Sequence, residues 1–539
     1  MTKERLYLFD TTLRDGAQTS GVDFSLEDKI LIAKTLDELG IDYVEGGYPG
    51  ANPTDTAFFS KRRDYANATF TSFGMTKRAG RSTANDPGLQ GVLQGEADAV
   101  CLVGKAWDFH VRVALAISNE ENLQSIAQSV EAVCESGREA LIDCEHFFDG
   151  FKANPDYALA CARTAFEAGA RWVVLCDTNG GTLPHEIADI VATVRETVPG
   201  DHLGIHTHND TENAVANTFA AVRAGVRQIQ GTINGIGERC GNANLISIIA
   251  TLMLKSYYAE RFEIGLTPER LARLTHVSRL LDEILNRAPN RQAAYVGESA
   301  FATKAGIHAS AIIKNPDTYE HVAPEAVGNE RRLLVGDQAG KSNILAALGQ
   351  LGIDVEKDDP RVARLLAEVK EREAIGYAYE GADASFELLA RRLLGDVPKY
   401  FSVDSFRVMV EKRHNAKGER VTVSEASVKV FINGGDDGAA PLWSVAEGNG
   451  PVNALDQALR TDLGRYQKYI EHVELVDYKV RILTGGTEAV TRVLVENRDS
   501  RTRERWFTVG VSPNIVDASF EALLDGINYK LYRDGAPPA

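Results

Sequence analysis

His206 and His208 stand one residue apart in LGIHTHND (203–210), directly after a short apolar run. Side chains alternate across a β-strand, so residues i and i+2 point to the same face. Two imidazoles projecting together from a strand end form half of a divalent-metal site. The other half must come from elements distant in the sequence.

The first 265 residues alternate β-rich runs with helical patterns. The strands expected are LYLFD (6–10), YVEGG (43–47), ATFTSFG (68–74), AVCLVG (99–104), ALIDCEHF (140–147), WVVLCDT (172–178), LGIHTHN (203–209) and QIQGTING (228–235). Between them lie stretches such as LEDKILIAKTLDELG, with apolar residues at helical spacing and a closing glycine. Eight β–α units in a segment of this length describe a (β/α)8 barrel. An open doubly wound sheet is the alternative, but it usually has fewer strands and a Gly-rich phosphate loop, which TTLRDG is not.

In a barrel the functional side chains cluster at the C-terminal strand ends, and strands 1 and 8 are neighbours. Arg14 and Asp15 follow strand 1, His206 and His208 end strand 7, and GIGERCGN (235–242) follows strand 8. Each has a bland explanation alone: a packed His-x-His, a surface ion pair, a turn built on Gly and Asn. Together they fall in one sector of the rim. Asp15, His206 and His208, with Asn242 as a fourth oxygen donor, suit Mn²⁺, Mg²⁺ or Zn²⁺ with positions left for substrate oxygens. Arg14 would place a permanent cation beside an oxyanion held there.

At 539 residues the chain needs two to four domains. Residues 266–400 read as a helical linker region: TPERLARLTHVSRLLDEILNR as a helix, an irregular stretch, then charged amphipathic helices. Residues 401–539 hold an internal repeat, three strands and a helix twice over, with VNALDQAL mirrored by VDASFEAL. Asn453 and Asp517 are the N-cap candidates. Two βββα units make an α+β domain after the barrel.

A net charge of −17 argues against nucleic acid or an anionic membrane as partner. The apolar fraction of 44% and charged fraction of 25% fit an ordinary soluble protein. No signal-peptide-like stretch opens the chain, and no run is long enough to cross a bilayer. The six cysteines include no CxxC pair. Cys101, Cys144 and Cys176 lie in apolar runs, so buried thiols in a reducing cytoplasm are expected.

DTTLRDGAQT (10–19), CDTNGGTLP (176–184), HTHND (206–210) and GIGERCGNANL (235–245) closely resemble the 2-isopropylmalate, homocitrate and citramalate synthases, metal-dependent barrel enzymes. GIHASAIIKNPDTYEHVAPEAVG (306–328) resembles their linker, and the repeat resembles their regulatory dimer domain. EGGYPGANPTD (45–55), VGKAWDFHV (103–111) and YEGADASFELLARR (379–392) look most like the citramalate branch, with 2-isopropylmalate synthase as the alternative.

The resemblance implies a condensation of acetyl-CoA with a 2-oxo acid, pyruvate for the citramalate branch and 2-oxoisovalerate for the alternative. It gives His308 the role of base, supplied from the partner subunit of a homodimer. It places Glu145 near the acetyl group, Thr178 on the substrate carboxylate, and Gln18 beside the substrate or in its supporting loop. It also implies feedback inhibition by isoleucine at the repeat domain. There is one departure: where several relatives carry Tyr, GNERRLLVGD (328–337) has Leu. The expected walls for the substrate's alkyl group are Phe73, Met75, Leu102, Trp107 and Phe147.

Overall fold

The computed structural model describes residues 3–61, 63–336, 339–414, 416–432, 440–486 and 489–539. Asp337, the last residue of GNERRLLVGD, lies outside these. The described residues form two compact units. One runs as far as Phe301 and adds His321–Arg331; the other comprises Ala302–Glu320 and Arg332–Ala539.

The first unit is built on eight parallel strands: β1 (Tyr7–Asp10), β2 (Tyr43–Glu45), β3 (Thr69–Met75), β4 (Ala99–Lys105), β5 (Glu139–Glu145), β6 (Trp172–Asp177), β7 (Leu203–Thr207) and β8 (Gln228–Gly231). They pair in sequence order, and β1 closes onto β8 from Tyr7 opposite Gln228 to Asp10 opposite Gly231. The barrel expected from the sequence is therefore present.

Alternation divides the strand residues into two layers. Outward residues such as Leu8, Val44, Val100, Ile142, Leu175 and Ile205 pack against the surrounding helices in one large core. Inward residues Phe9, Tyr43, Ala99, Cys101, Leu141, Trp172, Val174 and Cys176 fill the barrel. At the C-terminal end the interior turns polar, with Glu45, Asp143, His206 and Gln230 all buried. All six cysteines are free, and Cys101, Cys144, Cys161 and Cys176 are buried.

Several local expectations need correction. The fifth strand stops at Glu145 instead of running on through Phe147, because His146 takes a left-handed conformation (φ 56°) and starts the helix Phe147–Ala153. Leu102 and Phe147 are fully buried in the layer between strands and helices, so neither walls a substrate pocket. The segment after residue 266 is two helices, Pro268–Leu271 and Leu274–Ile284, rather than one. The first is capped by Thr267 and ends within one turn.

The second unit carries the repeat as read. Antiparallel strands β9 (Ser402–His414), β10 (Arg420–Phe431) and β11 (Leu442–Gly448) precede the helix Pro451–Thr461. Strands β12 (Val473–Ile482), β13 (Thr491–Asp499) and β14 (Arg505–Ser512) precede the helix Ile515–Arg533. Both helices begin earlier than their expected caps. Pro451 occupies the first helical position after Gly450, and Asn514 accepts the Val516 N–H. Asn453 and Asp517 thus lie inside the first turn. Among the described residues, no helix is long and apolar enough to cross a membrane.

Candidate active site

Asp15 follows β1 in a tight turn, its N–H bonded to Thr11 O at 2.9 Å. His206 points inward from β7, and His208 lies just beyond it, bridged to Asn242. The two imidazole Nε2 atoms are 3.3 Å apart. Asp15 Oδ2 lies 3.2 Å from His206 Nε2 and 3.9 Å from His208 Nε2. One ligand atom from each residue falls within 4.8 Å of the others, and all three residues are buried. So the three sequence-distant motifs meet in one sector of the rim, as the barrel closure required.

The residues present fit a divalent cation. Asp15 Oδ1 and Asn242 Oδ1 are buried acceptors without a hydrogen-bond partner, an arrangement that costs stability unless something binds them. Two borderline imidazoles with two hard oxygen donors, a carboxylate and an amide, suit Mn²⁺ or Zn²⁺ and are tolerable to Mg²⁺. Asn242 comes close because Gly241 turns the loop with φ 92°; a Cβ there would lie 2.0 Å from Gly235 O. Arg239 fastens the same loop, donating to Asp210 at 2.8 and 2.9 Å and to Thr178 O at 2.6 Å.

Three buried residues not singled out from the sequence, Gln230, Asp143 and Glu45, brace the candidate ligands and Arg14. Gln230 accepts from His206 Nδ1 at 2.9 Å and donates to Asp143 Oδ1 at 3.1 Å. That bond keeps a proton on Nδ1 and leaves the Nε2 lone pair available to a cation. Glu45 accepts from Arg14 Nε at 2.8 Å and from Thr11 Oγ1 at 2.5 Å. Arg14 also lies 3.7 Å from Asp15 and 4.1 Å above the Phe73 ring. Replacing Gln230 with leucine is expected to weaken Mn²⁺ binding about 10–100-fold without unfolding the protein. Isothermal titration with Mn²⁺ measures this; unchanged affinity would make the Gln230 contact incidental.

Electrostatics separates the roles. Burial opposes the charge of Arg14, but Glu45, Asp15 and Asp143 outweigh it and keep the guanidinium a permanent cation. Burial likewise opposes ionisation of Asp15, yet Arg14 and the His206 hydrogen bond hold its carboxyl well below the usual range. Burial, then His206, push His208 down to about 3, so its ring is neutral and its lone pair available. Burial also works against a charged His206, but its bond to Asp15 prevails and raises its pKa.

The other residues singled out from sequence lie as follows. Glu145 ends β5 at the rim and forms an ion pair with Lys105. Thr178 follows β6, and its Oγ1 accepts the His146 N–H at 2.8 Å. Gln18 is exposed on the turn Gly16–Gln18. Phe73 faces the site through Arg14, Met75 is partly exposed on the rim, and Trp107 stacks on His110 at 5.1 Å. His308 belongs to the second unit, exposed on the helix Gly306–Lys314, its ring 4.2 Å from that of Tyr319.

Comparison with known proteins bears on the whole chain. The HMGL-like family model matches residues 5–281, a homocitrate synthase post-HMGL domain-like model 295–376, and the LeuA allosteric (dimerisation) domain 380–531. An (R)-citramalate synthase of Geobacter sulfurreducens is 50% identical, over 98% of this chain and 97% of its own. The chain belongs to the HMGL-like family, in its (R)-citramalate synthase branch. Another member of that branch, from Aquifex aeolicus, is 48% identical over 98% of both chains. A probable 2-isopropylmalate synthase of Methanopyrus kandleri is 33% identical over 97% of this chain and 98% of its own. The Geobacter and Aquifex enzymes are thus more similar to this chain than that isopropylmalate relative is.

Proposed function

We propose that the protein condenses acetyl-CoA with pyruvate to give (R)-citramalate and CoA, the step that would feed threonine-independent isoleucine synthesis. The observation that carries this is the identity of 47–50%, over nearly the full length, with four relatives named (R)-citramalate synthase. A divalent cation (Mn²⁺, Mg²⁺ or Zn²⁺) on Asp15, His206, His208 and Asn242 would supply Lewis-acid polarisation of the keto group.

Around it the chain's own residues take these roles. Arg14 faces the negative charge that grows on the keto oxygen. Thr178 Oγ1 already accepts the His146 N–H, so its hydroxyl proton is free to bond the substrate carboxylate. Glu145, tied to Lys105, orients the acetyl group, and Gln18 stands at the edge of the substrate cleft. His308, given by a partner subunit, removes a proton from the acetyl methyl; the resulting carbon attacks the keto carbon. Water then hydrolyses the thioester and CoA leaves.

The reading extends to regulation. The C-terminal repeat would form the homodimer and bind isoleucine as a feedback inhibitor, supported by the match to an allosteric (dimerisation) domain. The six free cysteines favour a cytoplasmic location.

Free CoA release measured with pyruvate, 2-oxobutyrate, 2-oxoisovalerate and 2-oxoglutarate in parallel tests the reaction. Pyruvate is expected to give the highest kcat/KM, and a chelator to abolish turnover until Mn²⁺ is restored. Comparable use of 2-oxoisovalerate would point to 2-isopropylmalate synthesis instead. Saturating isoleucine is expected to slow the pyruvate reaction; an unchanged rate and substrate dependence would remove the effector assignment.

A further inference from the structure

Lys29 lies on α1 (Leu26–Leu39), yet it is only 4% exposed. A buried ammonium must place all its protons. Lys29 Nζ donates to Leu13 O at 3.0 Å, to Gly46 O at 2.9 Å and to the Asp55 carboxylate. The two carbonyls are well chosen. Leu13 immediately precedes Arg14, and Gly46 immediately follows Glu45, the carboxylate that accepts from Arg14 Nε. One ammonium therefore grips the backbone behind both members of the Arg14–Glu45 pair.

Asp55 is fixed in turn. It lies on α2 (Pro53–Phe58), is 7% exposed, and accepts from Tyr48 N–H at 2.8 Å and Asn52 Nδ2 at 3.0 Å. Gly47 makes room for it: a Cβ there would stand 2.5 Å from the Asp55 carboxylate. A cleft of about 430 Å³ opens here, lined by Arg14, Phe73, Lys29 and Asp55 among others.

We propose that Lys29, neutralised by Asp55, is a positioning residue for Arg14. It sets the spacing between the loops after β1 and β2, and so aims the guanidinium where charge develops. Its three ammonium protons match the two carbonyls and the carboxylate one for one. The catalytic part of the inference rests on the condensation reading; the positional part does not.

The experiment compares the full-length Mn²⁺-loaded wild type with Lys29→Met, which keeps length and loses the donors, and with Asp55→Asn. All are held at a temperature where circular dichroism shows them folded. Lys29→Met is expected to lower kcat about 100-fold and raise KM for pyruvate, since a misplacement of an ångström has that scale. KM for acetyl-CoA and the Mn²⁺ dissociation constant are expected to stay within about threefold of wild type. Asp55→Asn is expected to show the same pattern at about tenfold.

A second readout needs no turnover: the Arg14 Nε–H resonance in arginine-labelled protein, assigned by its loss in Arg14→Ala. It is expected to be exchange-protected in wild type and broadened in Lys29→Met. An unchanged resonance overturns the proposal, as does a folded Lys29→Met with kcat and KM within about twofold of wild type. Loss of activity that tracks weaker Mn²⁺ binding also overturns it. If neither variant folds, the pair is a fold determinant and the proposal falls. A wild type that condenses nothing overturns the function instead, and the resonance still decides the position of Arg14.

Discussion

Arg14→Ala is expected to lower kcat by about 10³, near the upper end of what removing one preorganised donor to a developing oxyanion costs. The upper end is warranted by the surroundings. The Arg14 side chain is 13% exposed, so little water is at hand to replace it. Its charge is permanent, and Glu45 and Phe73 hold the guanidinium from two sides. Metal binding should survive, because the Asp15, His206 and His208 side chains remain and lose no bond among themselves. The fold should survive as well. Glu45 keeps its Thr11 bond and, with burial already raising its pKa, can take up a proton when its cation is gone. The measurement is kcat alongside Mn²⁺ titration and a melting curve. Turnover within about tenfold of wild type would reduce Arg14 to a loop-holding ion pair. Arg14→Lys makes the companion: it keeps a charge but loses the fork that reaches Glu45 and the substrate together, so a partial rescue of kcat is expected.

The parts of this site that were legible in the sequence share one property: they depend on strand alternation and barrel closure alone. His206 and His208 follow from the first and their meeting with Asp15 from the second. The supporting residues were harder. Gln230 and Asp143 meet across the barrel interior, from β8 and β5, and nothing local says that their side chains touch. Parity gave a usable signal for one of them, since Leu141, Asp143 and Glu145 must share a face once Glu145 points to the rim. The same parity excludes Leu102, which alternates with the inward Cys101. His146 shows the opposite limit. A left-handed histidine is decided by the packing of the helix that follows it, so an apolar run reading through Phe147 gave no warning. The caps failed for a related reason: Asn453 and Asp517 are good N-cap types, but Pro451 and Asn514 start the helices first. His308 was singled out through its motif alone, because a lone histidine on a short helix has no periodic signal; the structure places it exposed on Gly306–Lys314 of the second unit.

Asp15→Ala should have the larger effect of the two ligand-side changes, and it separates coordination from support. Gln230→Leu leaves every ligand in place, so excess Mn²⁺ should recover its activity. Asp15→Ala removes the one anionic ligand and leaves two imidazoles and an amide, a donor set with no charge to offset a divalent ion. Its turnover is expected to fall by about 10⁴ or more and not to return with added metal, a loss above the 10–100-fold typical of a supporting residue. Stability gives an activity-independent measure. Ligand that binds only the folded state stabilises by about 2.7 kcal/mol at one hundred times its dissociation constant. Wild type should therefore melt higher when Mn²⁺ is added, and Asp15→Ala should not. The shift should also depend on pH in a definite direction. Asp15 raises the pKa of His206, so below that value a proton occupies the nitrogen that the ion requires. Mn²⁺ affinity in wild type must then tighten as pH rises through the titration of His206. A metal-induced shift that persists in Asp15→Ala would place the ion elsewhere in the protein.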